Sequence, residues 1–194
     1  MTGSIWNNST NWLDNDKPIS TWFGITETNG RVTRIDLNSN QLQGNIPPEI
    51  GDLTMLDYLD LRSNFLFGNL PTELGNLQNA TWFDFRFNGF DGEIPSSITT
   101  IPNLFVFIVS NNNFSGTLPD FSTQSANALN FLWIDNNQFV FADFENEFNT
   151  YSTNIGGGFT YSPQQFIDEI DMDMGVFPNQ CRFRVDVDAV QMTA

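Results

Sequence analysis

The sequence predicts an α/β solenoid, a short curved rod of stacked coils with one strand per coil. Three recurrences carry that prediction. An asparagine stands at Asn40, Asn64, Asn88 and Asn112, each 24 residues after the last, and again at Asn137, 25 residues on. Two apolar residues precede each asparagine at fixed positions: Ile35 and Leu37, Leu59 and Leu61, Phe83 and Phe85, Phe107 and Val109, Leu132 and Ile134. A glycine and a proline follow the first four, as Gly44 and Pro47, Gly68 and Pro71, Gly92 and Pro95, Gly116 and Pro119. One such unit cannot bury its own apolar side chains, so successive units must stack and share a continuous core, each touching its neighbours.

In chain order, residues 1–30 read as a terminal cap. Trp6, Trp12 and Trp22 lie among polar residues there, and large aromatics seal an exposed end of core. Asn29-Gly30 marks a turn before the alternating run Val32 to Leu37. Residues 31–165 hold the repeats: five full or near-full units and one terminal strand. The apolar pairs alternate with other residues, which predicts short strands buried on one face and stacked in parallel. Each asparagine falls three residues after the second strand position, where a buried amide satisfies turn backbone groups that otherwise lack partners. Glycine then permits tight curvature and proline blocks helix propagation, so short helical turns, 3-10 in type, carry Ile50 and Leu53, Leu74 and Leu77, Ile98 and Ile101 over the opposite side. Phe83, Phe85, Phe90, Phe107 and Phe114 take core positions. The fifth unit lacks the glycine and proline after Phe139, and the stack ends with FTYSPQ, in which Phe159 and Tyr161 form the buried pair and Gln164 replaces the asparagine.

Residues 166–194 differ. FIDEIDMDM and CRFRVDVDAV alternate apolar with charged residues around Pro178-Asn179, which predicts a strand pair that caps the last coil or opens a following domain. Asp168, Glu169, Asp171, Asp173, Asp186 and Asp188 raise the question of calcium, which takes several oxygen ligands. Strict alternation without a glycine-containing acidic loop fits a solvated strand face better, so no metal site is assigned.

Units such as LDLRSNFLFGNLP and IDLNSNQLQGNIP resemble the repeat of plant-type leucine-rich-repeat proteins, the group that includes receptor-kinase ectodomains and polygalacturonase inhibitors, with bacterial secreted relatives. The resemblance covers Val32 to about Phe144. It implies a right-handed superhelix with a parallel concave sheet and a convex side of loops and 3-10 turns. Family caps start with a helix and often hold a cysteine pair. Both are missing at this chain's start, which is expected to be cut into a larger cap.

Composition narrows function. With 40% hydrophobic residues in 194, the chain supports one domain with a substantial core. The net charge of −16 and only seven Lys and Arg argue against nucleic acid, which needs clustered cations. There is no histidine and one cysteine, Cys181, so Ser-His catalysis, ordinary zinc chemistry and an internal disulfide are not expected. No catalytic residue and no cofactor is assigned. No apolar run approaches the roughly 18 to 20 residues of a membrane span, and Met1 to Ser4 has no signal-peptide core. By family analogy the protein is expected to be secreted or at the cell surface. The sequons at Asn7, Asn8, Asn79 and Asn113 do not locate it.

In the resembled family the ligand meets the concave sheet through residues between the buried strand positions. The first such column is Arg34, Tyr58, Trp82, Val106 and Phe131. The second is Asp36, Asp60, Asp84, Ile108 and Trp133, and the third is Asn38, Arg62, Arg86, Ser110 and Asp135. Phe87 adds a fourth. The expected contact surface is therefore Tyr58, Asp60, Arg62, Trp82, Asp84, Arg86, Phe87, Phe131, Trp133 and Asp135, a groove for a protein, peptide or glycan. Tyr, Trp and Arg concentrate binding energy. Two other readings stand beside it. In a structural or adhesive role the rings pack on each other, Asp60 and Asp84 neutralise Arg62 and Arg86, and the chain forms a homo-oligomer through an open end or the strand pair. An enzyme using Asp60 and Asp84 as paired carboxylates would work on an open sheet that excludes water poorly, and both acids are expected to be ionised beside the arginines.

Overall fold

The computed structural model describes residues 6–121, 129–143, 148, 151–152, 155, 158–162, 164, 182–186 and 189–193. Seven strands form the larger sheet: β1 (Ile25–Thr28), β2 (Arg31–Asp36), β4 (Tyr58–Asp60), β6 (Trp82–Asp84), β8 (Val106–Ile108), β10 (Phe131–Trp133) and β11 (Gly158–Thr160), in that spatial order. All are parallel except β1, which pairs antiparallel with β2. Their hairpin turns at Asn29 and Gly30, with φ of 52° and 76°, the left-handed conformations that an Asn-Gly turn supplies. A second parallel sheet holds β3 (Gln43–Gly44), β5 (Phe65–Gly68), β7 (Gly89–Gly92) and β9 (Asn113–Phe114). The four coils that hold β2, β4, β6 and β8 thus contribute one strand to each sheet.

The asparagines lie in one continuous row. Asn112 receives a hydrogen bond from the Phe90 backbone N–H at 3.0 Å and donates to the carbonyls of Phe85 and Val109 at 3.0 and 2.9 Å. Asn64, Asn88 and Asn137 repeat that pattern one coil apart. Asn40 extends it into the cap, exchanging bonds with the backbone of Asn8 at 2.7 and 2.9 Å. Gln164 takes the same place in the terminal coil, accepting from the Asn137 N–H at 3.1 Å and donating to Ile134 and Tyr161. A turn whose strands run in two different sheets leaves carbonyls and amides pointing along the stack, and one amide side chain per coil closes them.

Between the sheets the core is apolar and aromatic. Phe83, Phe85, Phe90, Phe107 and Phe114 are fully buried, with Phe85 against Phe90 at 6.0 Å and Phe107 at 6.4 Å. Three 3-10 turns, Pro48–Asp52, Thr72–Asn76 and Ser96–Thr100, follow Pro47, Pro71 and Pro95, as the prolines predict. They bury Leu74, Leu77, Ile98 and Ile101 completely, whereas Ile50 and Leu53, nearer the cap, are only half-buried. The turns stack closely: a Cβ on Gly75 would lie 2.7 Å from the Ser97 carbonyl oxygen.

At the amino-terminal end Trp12 packs between Trp6 at 4.9 Å and Trp22 at 5.0 Å, and Trp6 and Trp12 cover the core's open end. At the other end Phe159 and Tyr161 are partly exposed, not the buried pair expected, because β11 is the last strand of its sheet. β12 (Arg182–Asp186) pairs antiparallel with β13 (Ala189–Thr193). FIDEIDMDM, with Asp168, Glu169, Asp171 and Asp173, lies outside the described residues, as do Pro178, Asn179 and Asp188.

Candidate functional site

The register of the larger sheet sets Arg34 beside Tyr58, Tyr58 beside Trp82, Trp82 beside Val106 and Val106 beside Phe131. In the next column Asp36, Asp60, Asp84, Ile108, Trp133 and Thr160 follow one another. Strand spacing of about 4.8 Å brings rings in one column into stacking range. Tyr58 and Trp82 stack at 5.5 Å with planes 19° apart, and the Arg34 guanidinium carbon lies 3.3 Å from the Tyr58 ring centre on the opposite side. Both faces of Tyr58 are therefore closed, and its edge and hydroxyl remain.

A second aromatic group lies across the sheet. Phe131 meets Trp133 edge-on at 6.4 Å and Phe105 at 5.9 Å, and Arg86 reaches over the Trp133 ring at 5.7 Å. Phe105 is 43% exposed and did not figure among the expected contact residues, since it precedes the strand and its counterparts are Asp57 and Thr81. The floor between the two groups is Val106, Ile108 and Ser110. All three are buried, although Val106 and Ile108 lie in the outward columns as expected: larger neighbours on adjoining strands limit their exposure.

The expected exposure of Asp60 and Asp84 is corrected. They lie on the expected face, but at 1% and 0% exposure neither presents a surface to a ligand. Arg62 spans both, 3.4 Å from Asp60 and 3.6 Å from Asp84, and Arg86 lies 3.2 Å from Asp84. The backbone N–H groups of Arg62 and Arg86 donate to Asp60 and Asp84 at 3.1 and 3.2 Å, and the Tyr58 hydroxyl donates to Asp60 at 3.3 Å. Burial pushes the Asp84 carboxyl up to about 6 against the pull of Arg86, and raises Asp60 as well. Asp84 is thus still mostly ionised at neutral pH beside the arginines, with a margin narrowed by desolvation, which penalises the charged form. Asp36 is different: partial burial pushes it up, yet hydrogen bonds from Arg34 and Asn38 hold it below its ordinary value. Asp135 accepts from the hydroxyls of Ser110 at 2.7 Å and Thr160 at 2.6 Å.

Phe87 stands at the first turn position after the strand, with φ of 55°, where the other coils place Ser39, Ser63, Asn111 and Asn136 at φ of 52° to 59°. A left-handed conformation costs an ordinary residue about 1–2 kcal/mol and asparagine less. The Phe87 ring is 52% exposed, so core packing does not repay that cost. Phe87→Asn is expected to raise unfolding free energy by about 1 kcal/mol, read as a higher urea midpoint with unchanged slope.

The Leucine Rich Repeat family model matches residues 31–53 and 55–77. The ectodomain of BIR2 from Arabidopsis thaliana is 30% identical to this chain, with a TM-score of 0.63 over 69% of this chain and 72% of that one. The chain belongs to the plant-type leucine-rich-repeat proteins. The leucine-rich-repeat ectodomain of the Arabidopsis receptor kinase SOBIR1 is similar too, at 31% identity and a TM-score of 0.51 over 60% of this chain and 67% of that one. Among curated relatives, leucine-rich repeat protein 1 of Arabidopsis is 48% identical over 40 residues, a stretch covering 20% of this chain and 18% of that protein. In this leucine-rich-repeat fold the seven-stranded sheet is the face onto which Tyr58, Trp82, Arg62, Arg86, Phe131 and Trp133 project. Among the described residues no group of three or more His, Cys, Asp or Glu is placed to hold a metal ion, and no helix is long and apolar enough to cross a membrane.

Proposed function

We propose that this protein is a non-enzymatic, extracellular recognition module, secreted or held at the cell surface, that binds a protein or peptide through the concave sheet. The observation that carries the reading is the paired aromatic–arginine strip, Arg34–Tyr58–Trp82 and Arg86–Trp133–Phe131, on either side of a buried apolar floor. Aromatic and arginine anchors at the centre of a surface concentrate binding energy. A chain of the Arabidopsis BIR3–SERK2 complex is similar in structure, at 26% identity and a TM-score of 0.60 over 70% of this chain and 77% of that one, which supports a protein partner.

Ring geometry favours polypeptide over glycan. Sugars stack on an open aromatic face, whereas Tyr58 has neither face open and Trp82 has one covered by Tyr58. Edges, a phenol and guanidinium groups suit backbone amides and side chains instead. Probing peptide and glycan arrays with the purified chain tests the class. Hits are expected among peptides, and Trp82→Ala with Trp133→Ala is expected to weaken the strongest hit at least about tenfold. Unchanged affinity in the double variant removes the concave-face reading.

One observation favours a second reading, self-association. Phe65 and Phe67 lie on one face of β5 at 61% and 53% exposure, outside the concave strip. A mass that rises with concentration and falls back in Phe65→Ser/Phe67→Ser supports it; a constant monomer mass ends it.

A further inference from the structure

Asp60 and Asp84 are neighbours in register on β4 and β6, both buried, beneath two arginines that are themselves one-quarter to one-third exposed. The Asp84 Oδ2 atom accepts no hydrogen bond, although it lies 3.2 Å from Arg86 Nε and 3.6 Å from Arg62. Two arginines therefore hold down two acids of which one is incompletely satisfied. A buried carboxylate oxygen without a hydrogen bond is the costly state of this group, and a proton removes most of the cost.

We propose that the Asp60–Asp84 pair is a proton-operated latch on the concave face, which holds Arg62 and Arg86 against the sheet near neutral pH and releases them in mildly acid surroundings. The geometry sets what is released. Arg86 is tethered to Asp84 and lies over Trp133, and Arg62 is shared between the acids, so one proton on Asp84 removes the one ion-pair partner that Arg86 has among the described residues and one of two for Arg62. The cluster of two arginines and two aspartates changes from neutral to singly positive.

The charged surroundings agree with Asp84 as the member that titrates first. From β4 it faces Asp60, with Tyr58 donating to that acid, and from the turns it faces Arg62 and Arg86. β8 presents Ile108 in the same column and β10 presents Trp133, neither of them charged. Arg34 and Asp36 on β2 pair with each other at 2.9 Å, and Asp135 is held by Ser110, Thr160 and Asn136. Burial places the Asp84 midpoint at about 6. Since the ordinary value is 3.8, the folded chain binds this proton more tightly than the unfolded chain does. The group's destabilising contribution is therefore present above about pH 6 and is lost as pH falls towards the unfolded value.

The consequence for binding rests on the concave-face reading, whereas the latch is tested in the free protein. Tryptophan fluorescence of the full chain, titrated from pH 8 to 4.5, is expected to show a transition near pH 6 that Trp133→Phe reduces, since Arg86 leaves that ring. Asp84→Asn is expected to abolish the transition, fix the signal at its low-pH level and raise Tm by more at pH 7.5 than at pH 5. A flat wild-type titration, or an Asp84→Asn variant that titrates with the same midpoint, overturns the proposal. If Asp84→Asn does not fold, carbon NMR of the wild-type carboxyls decides: an Asp84 midpoint above about 5 supports the latch, and one below overturns it. None of these readouts involves a ligand, so the latch can fail while Trp82 and Trp133 still bind, and the reverse.

Discussion

Asn112→Ala is expected to lower unfolding free energy by about 3 kcal/mol, a large effect for one polar side chain. The side chain is 1% exposed and closes the Phe90 N–H and the carbonyls of Phe85 and Val109. Alanine leaves the buried Phe90 N–H without its partner, at about 1–3 kcal/mol, and takes one of two amide donors from the carbonyls of Phe85 and Val109, which keep Asn88 and Asn137. Because stability in a stacked fold depends on contacts between neighbouring coils, the loss also uncouples the coils on either side. Urea denaturation should show the midpoint drop, together with a broader transition. Asn113→Ala, one residue along and half-buried on β9, is the control and should stay within about 1 kcal/mol. Equal effects at the two positions would refute the ladder as a source of stability.

The second large effect is expected at Phe85, which is fully buried among Phe83, Phe90 and Phe107 at ring distances of 5.6, 6.0 and 6.4 Å. Phe85→Ala should cost about 3–5 kcal/mol, the transfer of the ring plus the cavity left behind. Phe85→Leu should recover most of that, since Leu61 and Leu37 fill the equivalent place in the two preceding coils and a leucine-sized hole is what those coils pack. Thermal unfolding of the three proteins side by side reads this directly. A leucine variant as unstable as the alanine one would mean that the aromatic contacts, rather than volume, hold this layer together.

The repeat was legible in the sequence because its signal is periodic and local. Asn40 to Asn137 mark the register, and each apolar pair states which face of its strand is buried. Even Gln164 could be placed, because a longer amide reaches the same groups. The surface was less legible. Whether Asp60, Asp84, Val106 or Ile108 is exposed depends on what the residues one strand away drape over them, and that cover comes from arginines and rings whose direction no spacing encodes. Phe105 escaped notice for the opposite reason: its counterparts Asp57 and Thr81 are polar, so the column looked inert. The carboxy-terminal pair shows a different difficulty. Apolar and charged residues alternate within FIDEIDMDM and again within CRFRVDVDAV, and such a pattern specifies faces without specifying which segment pairs with which. The pairing observed, Arg182–Asp186 with Ala189–Thr193, joins strands separated by only Val187 and Asp188.

Hydroxyl-radical footprinting of the full chain with its strongest array-selected peptide addresses the recognition surface itself, since it reports which side chains the ligand covers. Protection is expected at Tyr58, Trp82, Phe105, Phe131 and Trp133, with Phe65 and Phe67 as reactive as in the free chain. Protection at Phe65 and Phe67 with the five concave rings still open would contradict the account and move recognition to the flank of the stack.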